Sequence, residues 1–470
     1  MNTTDSDIMK DCAQVDPQGK VTILNPTKLQ EEVIDQLVHL AVFGDVDQKA
    51  LACWLIWELG QAVGIYPASI HEFYRAVGRG EIGKKFTVPA INLRAMTYDC
   101  ARAAFKAAIQ RKVGAMIFEI ARSEIGYTAQ RPREYFSSVM AAAIKEGFQG
   151  PLFVQGDHFQ ASNKKFKEQP EEEIKAIEQL IKEAIEAGFY NIDIDTSTLV
   201  DLSQSSVSEQ QRANYELCAR FTAFIRKHQP QRITISVGGE IGEVGGKNSD
   251  ETELRAFMDG LIGALPDGLS GLSKISIQTG TSHGGVVLPD GTLARVAIDF
   301  KVLKDLSQVA RTRYGMGGTV QHGASTLPDE AFNQFVTHDA VEVHLATGFQ
   351  NMIYDHEKFP PDLKQGIYEY LKSKHADEWK SGKTEEQFLY STRKKGLGPF
   401  KAEMWGLPEE VRSAIRKTLE DKFGFLFDQL QVGDTGDQVR KWVPPLKVEK
   451  QRTDFGLGKV KEEDVSDLAD

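Results

Sequence analysis

Two textures of apolar spacing divide the chain. Up to about residue 83, apolar positions recur with the period of one helix face. Residues 27–37 show this spacing, and the run from Leu51 to Tyr66 is apolar apart from Glu58, Gln61 and its glycines. Such a run predicts a buried helix and is too short to span a bilayer. It serves equally as core or as a subunit interface. A third helix is predicted over Ser69–Val77, capped by Ser69 with Glu72 as its box partner. From Lys84 onwards, short apolar and β-branched runs alternate with longer helical patterns. The strand-like runs are Phe86–Ile91, Ala115–Ile120, Leu152–Gln155, Tyr190–Ile194, Ile233–Val237, Lys274–Gln278, Thr319–Gln321 and Glu342–Leu345. Between them lie helical segments such as Tyr98–Arg111, Tyr135–Glu146, Glu171–Ala187 and Glu251–Ala264. Strands that are apolar nearly throughout predict a parallel sheet buried on both faces.

Repeated strand–helix units predict an α/β chain built as a (β/α)8 TIM barrel. A doubly wound open sheet is the alternative, but no Gly-x-Gly-x-x-Gly follows the first strand. The expected organisation has three parts. Residues 1–83 form an N-terminal helical extension, 84–355 the catalytic barrel, and 356–470 a C-terminal helical and loop extension. Its tail, rich in Lys, Glu and Asp from Val443, is expected to be mobile.

Composition narrows the function class. The 470 residues are 41% hydrophobic and 26% charged, as in soluble globular proteins. A net charge of −11 argues against a general polyanion-binding surface, so no nucleic-acid partner is expected. Cys12, Cys53, Cys100 and Cys218 are too scattered for a disulfide framework or a metal knuckle. The N-terminus lacks a basic patch followed by an apolar core. A cytoplasmic protein without membrane partners is therefore expected.

Polar residues just past the strand C-termini of such a barrel converge on one mouth. There the sequence offers Asn92, Asp157-His158, Asp195-Thr196-Ser197, Glu240, His283, His322 and His344, with Thr347 close behind. His158, His283, His322 and Glu240 form an N/O ligand set suited to zinc, with Glu240 the displaceable member. Taken singly, each of these histidines reads more readily as a satisfied structural residue than as a ligand. The joint pattern singles them out: the chain has ten histidines, and these three, with His344, fall at positions facing one mouth. Gly284, Gly285 and Gly323 follow ligand histidines, where backbone must approach a small ligand closely. With the Ser325 hydroxyl they could cradle a phosphate. Each glycine alone also fits a tight βα turn.

Gln-Gly-Asp-His (155–158), Gly-Glu-Ile-Gly-Glu-Val-Gly-Gly (239–246), Gly-Thr-Ser-His-Gly (280–284) and His-Gly-Ala-Ser (322–325) occur in that order. With Val-Pro-Ala-Ile-Asn (88–92), they resemble the class II, zinc-dependent ketose-bisphosphate aldolases. The resemblance runs from about Ser69 to Phe359. It implies zinc, or another divalent transition metal, on His158, His283 and His322, with Glu240 near the mobile ion. It implies Asp157 as the acid/base for the C4 hydroxyl and Asp195 as a carboxylate orienting the metal site. Gly284, Gly323 and Ser325 would hold phosphate, a monovalent cation would sit beside it, and Asn92, His344 and Thr347 would touch substrate. The implied reaction is reversible cleavage of a ketose bisphosphate, fructose 1,6-bisphosphate by default, to dihydroxyacetone phosphate and glyceraldehyde 3-phosphate. Zinc would stabilise the enediolate. No Schiff-base lysine is needed, and no strand-borne lysine stands out for one. Homodimers or homotetramers are usual in the family.

Several positions depart from the pattern. Lys247-Asn248 stand where the family has acidic loop residues, leaving Asp250 or Glu251 as substitutes. Ala121, followed by Arg122-Ser123, replaces a phosphate-binding serine. In strand 8, His344 replaces a substrate-contacting asparagine and Ala346 an aspartate. Tyr390-Ser-Thr-Arg393 resembles the segment whose arginine binds the far phosphate from a neighbouring subunit. These changes keep the metal centre and leave the substrate open. The alternatives are the same chemistry on another sugar phosphate, such as tagatose bisphosphate, or a non-catalytic partner subunit. A zinc hydrolase fits less well, because strand 1 has no His-x-His pair.

Overall fold

The computed structural model describes residues 9, 11–16, 19–83, 85–242, 246–280, 288–289, 298–456 and 468. Eight parallel strands run in order around a closed barrel: β1 (Val88–Asn92), β2 (Ile117–Ala121), β3 (Gly150–Gln160), β4 (Asn191–Asp195), β5 (Ser236–Glu240), β6 (Lys274–Ser276), β7 (Thr319–Gln321) and β8 (Glu342–Leu345). Pairing of β8 with β1 and of β3 with β4 completes the ring. The predicted barrel is thus the observed one.

The strand Ile65–Ala68, absent from the sequence reading, adds a ninth member. β3 is eleven residues long, and its first residues extend below the reach of β2 and β4. Ile65–Ala68 pairs with Gly150–Phe153 and supplies the missing backbone partners. The Asn191 side chain seals the junction. It accepts from Ile70 N and donates to the carbonyls of Ala68 and Val154. Ser69 binds two amides, of His71 and Ser236, and the helix it was expected to cap begins at His71 instead.

The apolar helix Val46–Ala62 is core: Leu51 through Gln61 are buried. It packs beside Ile34–Phe43 against the barrel helix Pro132–Glu146. Its two polar interruptions have partners in the C-terminal segment. Gln61 Nε2 donates to the Val448 carbonyl (3.1 Å), and Gln61 Oε1 accepts from Val448 N (2.8 Å). Glu58 lies 3.5 Å from Lys447 Nζ. The indoles of Trp54 and Trp57 donate to the carbonyls of Lys450 and Val448, and Arg133 donates to that of Phe455. So the tail, up to residue 456, is docked across this helix. The helix Glu409–Gln429 covers Thr97–Gln110, with buried Asp99 bound by Arg412 and Arg416. Among the described residues, no helix is long and apolar enough to cross a membrane.

Candidate active site

Register decides the site. Along β3 and β4, Gly156 pairs with Ile192 but Phe159 with Ile194. One extra residue is inserted in β3, a β-bulge over Asp157 and His158. His158 takes the left-handed φ of 39°, and Gly156 is needed because a Cβ there would meet the Phe159 ring at 2.4 Å. The bulge carries both side chains into the mouth. His158 Nδ1 lies 3.1 Å from Asp195 Oδ2 and 3.2 Å from Glu240 Oε2. Its ring centroid is 4.2 Å from that of His322, which is steadied by Ser276 Oγ at 3.0 Å from Nε2.

Two overlapping sets of donor atoms, each within 4.8 Å of one another, result: Asp157, His158 and His322; and His158, Asp195 and Glu240. Burial, with the negative charge of Asp195, pushes the Glu240 carboxyl up to about 7. Burial alone would lower the His158 imidazole, but Asp157 and Glu240 raise it well above its ordinary value. The pocket therefore attracts a cation, and imidazole plus carboxylate donors fit a borderline divalent ion. Asp195 stands where a carboxylate orienting a ligand histidine belongs. His283 and Gly284 lie outside the described residues, so the third predicted imidazole is not placed here.

His344 is central as well. Its Nδ1 lies 3.1 Å from Glu119 Oε2 and 3.2 Å from Asp157 Oδ1, and its ring is 4.0 Å from that of His322. Its Nε2 meets Glu342 Oε1 at 2.7 Å. Below it is a charged layer that the sequence reading missed. Lys274 Nζ donates to Gln155 Oε1 (2.7 Å), Asp193 Oδ2 (2.8 Å) and Glu342 Oε1. Lys274 is thus a strand-borne, buried lysine after all, but its ammonium is enclosed by acceptors and held protonated by Asp193 and Glu342 against the opposing pull of burial. It is unsuited to Schiff-base chemistry. A signal existed: Glu119, Asp193, Lys274 and Glu342 are charges inside otherwise apolar strands.

The remaining predicted residues divide. Asn92 is at the mouth, donating to Glu124 Oε2 at 2.7 Å. Thr347 Oγ1 accepts from Arg94 Nη1 at 3.3 Å. Gly323 has a φ of 68°, a backbone suited to glycine, and Ser325 Oγ accepts from Gly348 N at the start of the helix Thr347–Tyr354. Arg393 is tied to its own subunit, bonded to Asp355 and Asn351 and stacked on Tyr390. Arg122 is buried against Glu173. Asp250 caps the helix Glu251–Ala264 and pairs with Lys247.

A closed parallel barrel with imidazoles and carboxylates gathered at its C-terminal mouth defines the class: a TIM barrel with a candidate metal centre. The profile of the family described as fructose-bisphosphate aldolase class-II matches residues 82–381. The chain belongs to that family. Among solved structures it is similar to the fructuronate-tagaturonate epimerase UxaE from Cohnella laeviribosi in complex with glycerol (TM-score 0.56, 13% identity, 90% of each chain covered). It is similar also to a probable tagatose 6 phosphate kinase from Sinorhizobium meliloti (TM-score 0.51, 18% identity, 76% of this chain and 93% of that one). A third is the fructose-bisphosphate aldolase Fba from Campylobacter jejuni (TM-score 0.46, 17% identity, 79% and 97%). Among curated proteins none matches. At these identities the first two likenesses speak for the fold alone.

Proposed function

We propose that this chain catalyses reversible, metal-dependent retro-aldol cleavage of a phosphorylated ketose, with fructose 1,6-bisphosphate as the reference substrate. The observation that carries the reading is the β3 bulge, which sets a carboxylate, Asp157, beside a metal-type histidine, His158, at the barrel mouth. A divalent ion, zinc or a relative, held by His158 and His322 with Glu240 as adjustable ligand, would supply a Lewis acid for the substrate carbonyl. Asp157 acts as the base. It takes the proton of the C4 hydroxyl, the C3–C4 bond breaks with its electron pair passing through C3 to the C2 carbonyl oxygen, C4 leaves as an aldehyde, and the three-carbon fragment then takes a proton at C3. His344, 3.2 Å from Asp157 and kept charged against burial by Glu119 and Asp157, positions that carboxylate. Asn92, Gly323, Ser325 and Thr347 orient the substrate, and Asp195 holds the His158 ring.

A second reading, the same reaction on a different sugar phosphate, is favoured by His344: it sits against Asp157 where the family carries an asparagine. Cleavage of fructose and tagatose bisphosphates by the metal-loaded enzyme separates the two readings. In the decisive test, metal content and aldehyde release are measured for wild type, His158→Ala and Asp157→Asn. His158→Ala is expected to lose both. Asp157→Asn is expected to keep the metal and lose turnover by roughly 10²–10⁴-fold. Undiminished cleavage by His158→Ala would overturn the proposal.

A further inference from the structure

At the ends of β1 and β2 the barrel mouth presents oxygen atoms. Asn92, the last residue of β1, pairs in register with Glu119, and Ala121, the last of β2, pairs with Asp157. Side chains at paired positions of neighbouring strands share a face. Glu119 points into the barrel, accepting from Gln155 Nε2 (2.9 Å) and lying 3.1 Å from His344 Nδ1, so Asn92 enters the barrel beside it. Glu124, in the short helix Arg122–Tyr127 after β2, fixes how the Asn92 amide is turned. Its Oε2 accepts from Asn92 Nδ2 (2.7 Å) and from Ala121 N (2.7 Å), and its Oε1 accepts from Arg94 Nε (2.6 Å). With N–H donors on both oxygens, Glu124 can only accept from Asn92. The amide nitrogen therefore faces Glu124, and Oδ1 is turned away from it.

That orientation leaves an acceptor in want of a donor. Asn92 is buried, and among the described residues none donates to its Oδ1. Its neighbour in register repeats the pattern: Glu119 Oε1 is buried, and none of them donates to it. A buried acceptor left without a donor is destabilising. An anion placed here would meet these two oxygens, with the Asp157 carboxylate on the adjacent strand. The Arg94 guanidinium is turned onto Glu124 and, through Nη1, onto Thr347 Oγ1 (3.3 Å), and Lys394 Nζ stands 5.7 Å above the Tyr127 ring. A hydroxyl, the donor that a sugar carries, matches the acceptor on Asn92. We infer that Glu124 is a positioning residue that turns the Asn92 carbonyl towards the substrate, and that Asn92 Oδ1 accepts from the substrate hydroxyl on C5. The inference deepens the cleavage reading and rests on it for which hydroxyl is met. In that reading C2 and C3 belong to the metal side and the C4 hydroxyl to Asp157, so C5 comes next along the chain.

The test uses the metal-loaded enzyme and two probes that cannot be cleaved because C2 is an alcohol: glucitol 1,6-bisphosphate and its 5-deoxy counterpart. Dissociation constants are measured by calorimetry. Wild type is expected to bind the hydroxylated probe about tenfold or more tightly than the deoxy probe. Asn92→Ala should bring the first probe to the level of the second and leave the second nearly unchanged. Glu124→Gln places an amide nitrogen where a carboxylate oxygen stood, frees the Asn92 amide to turn, and should shrink the difference with metal content retained. Glu124→Asp keeps the charge beside Arg94 but falls short of Asn92, and should shrink it likewise. A merely structural loss would weaken both probes together. Equal binding of the two by wild type, as an acceptor satisfied by water would give, overturns the inference. So does weakening of both probes alike by Asn92→Ala, or the full difference surviving in either Glu124 variant. Aldehyde release from fructose 1,6-bisphosphate is read separately in the same preparations. Release without a preference for the hydroxyl sinks the positioning role and spares the reaction. A preference that depends on Asn92, without release, does the reverse.

Discussion

Replacing Lys274 by Met tests whether the charged layer under the site is held by one ammonium. The Lys274 side chain is 1% exposed, as are its partners Glu342 (0%) and Asp193 (8%) to similar degree. Methionine fills the volume but removes the ammonium bonded to both buried carboxylates, leaving His344 as their remaining cationic neighbour. Breaking a buried pair from one side costs about 3–5 kcal/mol, because the survivor keeps its desolvation penalty. The titrations agree in direction. Burial raises Asp193 to about 6 in spite of Lys274, whereas Lys274 and His344 overcome burial and hold Glu342 at about 2. Glu342 thus contributes stability that is complete above its ordinary 4.5 and lost as pH falls through about 2. The gap between wild type and Lys274→Met should therefore narrow below pH 4.5. Urea denaturation of the metal-free proteins measures it, with Lys301→Met as control because that side chain is 82% exposed. Lys274→Met with Glu342→Gln should be less damaging than Lys274→Met alone. A single-variant loss below about 1 kcal/mol, or a double variant losing the two costs in sum, would refute the argument.

The remaining predictions concern the backbone contact at Gly398 and the tail. Gly398→Ala should cost about 1–3 kcal/mol in the same denaturation assay, since its methyl group meets backbone rather than a movable side chain. Gln61→Leu removes both bonds to Val448, and limited proteolysis should then release the C-terminal segment faster than in wild type.

Apolar spacing revealed the barrel because parallel strands buried on both faces need near-continuous hydrophobic runs, and the observed strands begin within about three residues of the expected positions. It did not reveal Ile65–Ala68, whose apolar residues follow directly on the helix before them and carry no period of their own. The hairpin of Ala13–Val15 and Val21–Ile23 was missed because three-residue strands are too short to show a period. The site residues on strand ends were legible, since topology alone brings them to one mouth. Arg94, bonded to Glu124 and Thr347 at the mouth, was not, because it lies in a loop past the strand end where no period marks it. The polar tail read as mobile because composition cannot show that its backbone would be bonded by Trp57 and Gln61.

The bulge in β3 joins the acid/base to the metal centre. In a regular strand, consecutive residues point to opposite faces, so Asp157 and His158 could not both enter the mouth. The inserted residue removes that constraint at the cost of a left-handed His158, a strain on the order of 1–3 kcal/mol. Something must hold the strained ring, and Asp195 and Glu240 do so from β4 and β5. Glu240 therefore has two duties that compete: bracing His158 and approaching an ion. Its carboxyl, raised to about 7, is the one in this pair that can change state near neutrality, while Asp195, bonded also to Ser197 and Gln160, is held low and stays fixed. The division of labour follows from the hydrogen bonds alone: Asp195 is the permanent brace, and Glu240 is the member free to move when an ion or substrate arrives.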